Sequence, residues 1–271
     1  DWLSWQGSIT GTAEELTIDP FGVRKSSFEA SLVDGQLAID NARLELERGG
    51  VLTTQGSVDL RNKRRTLLRF ATERLPLEFL ETIARSRETN NASSVRSIQG
   101  GTLDVQGTLS HHEDNTPPDR PLQLDIAEPT RQQRPSQFLS GLQLDARVAV
   151  ADAVLNGVQF DAAGKLDINA AKLNLKNINV QFDEGNALLN GIVPIDAAAK
   201  KVAQLTANWK SIPLRSVVPG REKLGLRGWT TGDFSIQVPA ERLFQPAAFE
   251  GSGRLFWKDA VVSAEPLGTV D

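Results

Sequence analysis

Two adjacent histidines are the residues of this chain best suited to metal binding or general base catalysis. They are His111 and His112, and Glu113 and Asp114 follow them. A zinc site needs further converging ligands, and the chain has no third histidine and no cysteine. A Ser-His-Asp site needs an exposed nucleophile on a sharp turn, and no nucleophile-elbow motif occurs. The histidine pair therefore predicts a solvated loop.

The acidic residues do not single out a hydrolytic site either. The 34 Asp and Glu residues leave many candidate pairs, but no spacing marks one of them as a catalytic pair. We therefore expect a protein that is not an enzyme and that needs no cofactor and no metal.

The basic residues form one cluster, Arg-Asn-Lys-Arg-Arg at 61–65, where a hairpin turn is expected. It has two interpretations: contact with phospholipid headgroups or an acidic partner, or a solvated turn that keeps sheets from stacking. Elsewhere the basic residues are scattered and the net charge is −4, which predicts no nucleic-acid binding.

Five tryptophans are present in a chain without tyrosine. Tryptophan anchors grooves and interfaces, but it is also a frequent core residue. Both interpretations stay open for Trp2, Trp5, Trp209, Trp229 and Trp257.

Period-two alternation of apolar and polar residues dominates the chain and predicts strands with one buried and one wet face. At 27–32, for example, Phe28, Ala30 and Leu32 share one side. In the stretch 37–46 the parity changes near Asn41, which predicts a β-bulge. Turn pairs such as Asp34-Gly35 separate the strands. The sequence predicts an all-β fold with minor α, in a long antiparallel meander.

The second half of the chain repeats the first. Residues 50–60 align with 185–195 at an offset of 135, 75–80 with 212–217 at 137, and 101–105 with 232–236 at 131. Fixed-order similarity indicates modules that bury their apolar faces against one another. We predict two repeated modules, 1–118 and 119–240, and at 241–271 the start of a further repeat or capping strands. Proline and charge predict loops or a linker at 111–121 and 128–136.

A short helix is predicted after Pro76, in the stretch 76–85, because proline suits the first helical position and Leu77, Leu80 and Ala84 follow at helical spacing. A shorter counterpart follows Pro213. Such a helix at the same place in each repeat would cap one end of the sheet.

The composition bears on compartment. The absence of cysteine fits a bacterial envelope protein as well as many cytosolic chains. The absence of methionine, including at position 1, indicates a processed or excised segment or a substituted sequence. No run approaches the roughly 20 apolar residues that span a bilayer, so we expect any membrane anchor outside this segment.

The linked pattern resembles the AsmA-like superfamily of bacterial envelope proteins, to which TamB-type proteins belong. The residues that carry the resemblance are 34–60, 68–84 and 100–109, the repeat of this pattern at 173–217, and the stretch 249–264. The resemblance implies an elongated, taco-shaped open sheet with an apolar concave side, held in the inner membrane by an N-terminal helix and located in the periplasm. It also implies phospholipid transport between the inner and outer membranes and a part in outer-membrane biogenesis.

An alternating sheet that curls without closing leaves an apolar face that a second layer or acyl chains must cover. We expect phospholipid acyl chains as the ligand, with outer-membrane β-barrel or other envelope proteins as further partners. The alternative for each apolar residue is simple core packing. The predicted groove residues are Phe28, Leu32, Leu37, Ile39, Leu44, Leu46, Leu103 and Val105 in the first module, and Leu166, Ile168, Leu173, Leu175, Ile178, Val180, Phe182, Phe234 and Ile236 in the second.

Three functions compete. The leading one is a lipid-binding or lipid-conducting module of a bridge between the two membranes. The second is a non-catalytic structural module that assists the assembly of outer-membrane β-proteins through its edge strands. The third, a β-solenoid carbohydrate-active enzyme, would need a polar cleft with convergent carboxylates.

Overall fold

The computed structural model describes residues 6–18, 21–60, 65–79, 98–112, 141–155, 157–169, 171–195, 202–217, 224–239 and 248–264. These residues form one antiparallel sheet. Its strands are β1 (Gly7–Ile18), β2 (Phe21–Val33), β3 (Gln36–Leu46), β4 (Val51–Asp59), β5 (Arg65–Pro76), β6 (Ile98–Gln99), β7 (Thr102–His112), β8 (Leu142–Leu155), β9 (Val158–Asn169), β10 (Lys172–Phe182), β11 (Asn186–Pro194), β12 (Val202–Pro213), β13 (Leu224–Pro239) and β14 (Glu250–Ala264).

The strands follow one another in chain order across the sheet, except that the two-residue β6 pairs with the far end of β8 beside β7. Every described pairing is antiparallel, and β1 and β14 are the outermost of the described strands. The predicted all-β antiparallel meander is therefore confirmed. Its cause is local: alternating strands joined by tight turns pair first with their sequence neighbours.

The turn and bulge predicted near the start of the chain are both present. Asp34 and Gly35 have φ of 50° and 70°, the left-handed pair that a two-residue hairpin needs. The β3–β4 register shifts between Ile39 and Ala42. This bulge at Asp40 and Asn41 restores the parity, so that both ends of β3 turn their leucines to the same face.

Two short helical segments follow β5 and β12. A helix begins at residues 77–79, directly after Pro76, and helix α1 covers Leu214–Val217, directly after Pro213. Each proline is the last residue of its strand instead of the first helical residue, which corrects the predicted helix start. The rest of the predicted helix, from Leu80 onward, lies outside the described residues.

Both helical segments lie at the same end of the sheet as its two hydrophobic clusters. The first cluster contains Val23, Leu46, Leu75 and Leu103, and Leu77 and Phe79 of the helical segment pack against it. The second contains Val158, Phe182 and Ile212. Leu214 in α1 is also buried. Burial of these side chains stabilises that end of the sheet by about 1.5–3 kcal/mol for each large residue.

The structure corrects the prediction for the histidines. His111 and His112 are the last residues of β7, and His111 pairs with Thr66 and Leu142 of the neighbouring strands. The His111 side chain is 8% exposed, so it is not part of a solvated loop. The prediction was wrong because a Pro-rich, charged stretch follows the histidine pair. Its loop-like composition obscures that the alternating strand β7 continues to His112. The predicted loop at 128–136 lies outside the described residues.

Candidate binding surface

The strand register places all the predicted groove residues on one face of the sheet. Residues directly opposite each other in neighbouring strands share a face. In the first half this links Phe28 to Ala42 and Leu32 to Leu37, and in the second half Leu175 to Leu166 and Val180 to Ala187. Bulges on β2, β3, β5, β8, β10 and β12 adjust the parity at each register shift, so the face stays apolar along the whole sheet. We call it the apolar face.

The apolar face is covered by no second layer of described strands, because all of them belong to the one sheet. Leu46, Leu103 and Phe182 are buried in the two clusters, whereas Phe28 is 44% exposed. The other predicted groove residues are half-buried: Leu32, Leu37, Ile39, Leu44, Val105, Leu166, Ile168, Leu173, Leu175, Ile178, Val180, Phe234 and Ile236. A core between two layers would leave such residues fully buried. The middle of the face is therefore open in the part of the chain described.

Large side chains on the apolar face lie across glycines of the neighbouring strand. A Cβ on Gly11 would come within 2.4 Å of the Phe28 ring, and one on Gly164 within 2.4 Å of the Ile178 side chain. A Cβ on Gly232 would likewise come within 2.7 Å of Trp209. At these points the large side chain lies over the glycine, in the space that a Cβ would take. The surface of the apolar face is therefore closer to the backbone of the sheet there.

The aromatic residues divide between packing and exposure. Trp209 packs on Phe234 with ring centroids 5.7 Å apart, and its Nε1 donates a hydrogen bond to Thr230 Oγ1 at 3.3 Å. Phe160 and Phe182 form a second ring pair at 5.9 Å. Trp257 is 62% exposed, so core packing does not account for it. Trp2 and Trp5 lie outside the described residues.

The opposite face carries polar and charged residues with local ion pairs. Glu45 accepts hydrogen bonds from Arg43 Nε at 3.2 Å and from Arg24 Nη2 at 2.6 Å. The hydrogen bond from Arg43, then that from Arg24, lowers the pKa of Glu45. A shallow depression between β3 and β7 is lined on this face by Thr53, Gln55, Arg69, Gln106 and Thr108. We call the whole surface opposite the apolar face the polar face.

Two kinds of feature are absent from the described residues. They contain no group of three or more His, Asp or Glu side chains that could hold a metal ion. No helix among them has the length and apolarity to cross a membrane.

The sequence prediction missed several residues of the apolar face. Leu68 and Leu189 lie on it by register, but each has a second leucine beside it on the polar face, which hides the alternation. The alternation of β8 could have revealed Leu144 and Val148, which pair with Leu109 and Val105. Period-two alternation thus fails to assign a face where two leucines are adjacent. The face can then be assigned from the residue that pairs with each leucine in a neighbouring strand.

Comparison of the chain with protein families, with curated proteins and with solved structures finds no match.

Proposed function

We propose that this chain is a lipid-binding or lipid-conducting module of an AsmA-like bacterial envelope protein, located in the periplasm and anchored in the inner membrane outside the present segment. The observation that supports the proposal is the apolar face, which continues across neighbouring strands of a single open sheet and stays half exposed. An exposed apolar surface of this extent calls for a hydrophobic occupant.

Acyl chains suit this surface better than a compact ligand does. The described residues of the apolar face are mostly aliphatic and aromatic, and a surface of this kind orients no particular polar group. Each methylene that moves from water onto it gains about 0.8 kcal/mol. A phospholipid could therefore bind by its chains while its headgroup stays at a rim in water.

We infer further that the sheet is built from two repeats and the start of a third. The bounds of matching strands support this: β3 and β10 are offset by 136 residues, β4 and β11 by 135, and β5 and β12 by 137. A helical segment follows both β5 and β12. The strand ends at His112 and Pro239 fit the proposed module limits at 118 and 240.

A pair of double variants tests lipid binding. Leu173→Glu with Leu175→Glu places charge on the apolar face of β10. Leu188→Glu with Ile192→Glu places the same charge on the polar face of the adjacent β11, where the two side chains are 37% and 41% exposed. Each protein is produced in a bacterial envelope, purified and analysed by mass spectrometry for bound phospholipid, and circular dichroism monitors folding.

We expect about one phospholipid or more per protein in the wild type and the β11 variant. The β10 variant should lose at least tenfold, since two charges that bound acyl chains cover cost several kcal/mol. Both variants should keep the strand spectrum. Absence of lipid from the folded wild-type protein would contradict the proposal. So would equal loss in the two variants.

One observation favours the second candidate function, a structural module that pairs with other envelope proteins. Among the described strands, β1 and β14 each have one unpaired edge, and β14 exposes large apolar residues. A lipid-free but correctly folded protein that captures β-strands would support it. The two functions use different parts of the sheet, one its face and the other its edge, so they are compatible.

A further inference from the structure

A three-strand arrangement recurs wherever a non-glycine residue inside a strand adopts a left-handed conformation and has described neighbours on both sides. A glycine in or directly before the preceding strand lies against the backbone at or beside that residue, and a side chain of the following strand accepts a hydrogen bond from the N–H of the left-handed residue. The glycine, the left-handed residue and the acceptor are Gly50, Arg74 and Asp104 around β5; Gly101, Asp152 and Asp161 around β8; Gly164, Asn177 and Asn190 around β10; and Gly185, Ser211 and Thr231 around β12.

The hydrogen bonds in these four sets are well formed. The acceptor oxygen lies 2.5 Å from Arg74 N, 2.9 Å from Asp152 N, 2.8 Å from Asn177 N and 3.1 Å from Ser211 N. A left-handed residue turns its N–H out of the regular ladder, and an unpaired N–H in a sheet costs free energy. The acceptor from the following strand removes that cost, so it forms part of the pairing between the two strands.

The last strand of the sheet, β14, contains the first two parts of this arrangement. Asp259 has a φ of 52°, and Gly228 of β13 lies against it: a Cβ there would be 2.6 Å from Asp259 O and 2.7 Å from Lys258 O. Because the peptide bond is trans, a Lys258 carbonyl that faces β13 directs the Asp259 N–H to the other side. That side is the free edge of β14, where no described strand follows.

The same strand exposes large apolar side chains beside its charged residues Glu250, Arg254, Lys258 and Asp259. Leu255, Phe256, Trp257 and Val261 are 48%, 62%, 62% and 53% exposed. Edge strands of soluble proteins are often short or interrupted by proline, and β14 is neither, with 15 residues and no proline. A long edge strand with this many exposed apolar side chains is typical of one that receives a partner. Lys-Asp-Ala-Val-Val at 258–262 also matches Ala-Asp-Ala-Val-Leu at 151–155 of β8, which is paired on both edges.

We propose that the free edge of β14 binds a further β-strand, antiparallel, that carries an Asp, Asn, Ser or Thr side chain to accept the Asp259 N–H. The match to β8 defines the chemistry of this partner, because β9 fulfils the same role there: Asp161 accepts the bulge N–H, and Phe160 pairs with Ala153. The partner strand has an apolar, preferably aromatic residue next to the acceptor. It pairs with Ala260 as Phe160 pairs with Ala153.

A peptide of residues 157–169, the β9 sequence, serves as the probe with the full chain. The first measurement follows the backbone amide of Asp259 by NMR as the peptide is added. The expected result is a shift and slower hydrogen exchange at Asp259, and about tenfold weaker binding by the same peptide with Asp161→Ala, because the acceptor to the bulge N–H is lost. Equal binding of the two peptides, or no binding, would overturn the proposal.

The second measurement fixes the register without altering the bulge. The chain has no cysteine, so Val261→Cys provides a single thiol. In the β8–β9 register Val154 pairs with Gln159, which places a Gln159→Cys peptide opposite residue 261. A disulfide should form there and not with a Ser252→Cys chain. Equal cross-linking at both positions would refute a defined strand pairing. Neither measurement involves lipid, so its failure leaves the lipid proposal standing, and the reverse also holds.

Discussion

At the scale of single residues, the structure depends on side chains that complete the backbone at irregular points. The sheet contains left-handed residues inside its strands, and each of the four that have neighbours on both sides receives an acceptor from the next strand. These contacts decide where a strand bends and which face its next residues occupy. The apolar face therefore depends on polar residues that lie beside it.

The acceptor at Arg74 gives a direct test of this role. Asp104→Ala removes the oxygen 2.5 Å from Arg74 N, and we expect a loss of about 1 kcal/mol in the free energy of unfolding. Denaturant unfolding measures it. Asp104→Asn keeps an acceptor and should lose less than half as much. The exposed neighbour Glu73, changed to Ala, should have no effect; a loss as large as that of Asp104→Ala would contradict the interpretation.

The Glu45 carboxylate provides a pH test on the polar face. Because hydrogen bonds from Arg43 and Arg24 lower its pKa, its contribution to stability is present above the ordinary glutamate pKa and is lost as pH falls through the lowered value. Arg43→Gln should move the Glu45 pKa upward toward its ordinary range. Carboxyl carbon NMR titration follows Glu45 directly, and an unchanged midpoint would show that Arg43 does not cause the shift.

At the scale of elements, neighbouring strands approach closely where a glycine lies under a large side chain. Gly164 of β9 faces Ile178 and the Asn177 carbonyl of β10, whereas the atoms nearest to a Cβ on Gly11 of β1 belong to the exposed ring of Phe28. Backbone atoms held by a ladder move less easily than a ring tip that water surrounds. The same glycine-to-alanine change should therefore have unequal effects in the two strands.

Gly164→Ala should destabilise the protein by about 1–3 kcal/mol, because the new Cβ would lie 2.8 Å from Ile178 Cα and must displace the strand. Gly11→Ala requires only that the Phe28 ring rotate, so we expect less than about 0.5 kcal/mol. Thermal unfolding of the two variants compares them. Equal losses would mean that β10 adapts as easily as an exposed ring.

At the scale of the whole molecule, the described residues form two separate hydrophobic clusters along one sheet. The first joins β2, β3, β5 and β7, and the second joins β9, β10 and β12. No described strand crosses from one half to the other over the sheet. Such a structure is held by nearest-neighbour contacts, so its two halves should respond separately to a local change.

Leu75→Ala tests this independence. Leu75 is 4% exposed in the first cluster, and its truncation should cost about 2–4 kcal/mol. Hydrogen exchange read by mass spectrometry should show faster exchange in β2 to β7 and little change in β9 to β12. Leu67→Ala, on the polar face at 47% exposure, is the matched control. Uniform loss of protection across the sheet would indicate a single cooperative unit.

The sequence by itself determined the strands and their faces, since alternation at 27–32 or 173–182 depends only on local residue order and on the wet and dry sides of a pleat. It also located the bulge near Asn41 and the two helical segments, but not the strand position of His111, which a polar context obscured. Only the tertiary structure decided the register of each strand pair, how each bulge is completed by its neighbour, and which apolar residues become core. Leu46, Leu103 and Phe182 are buried while Phe28 is exposed, although all four follow the same alternation. Burial depends on neighbouring strands and helical segments that meet at one end of the sheet. Period-two patterning carries no information about how far a residue lies from that end.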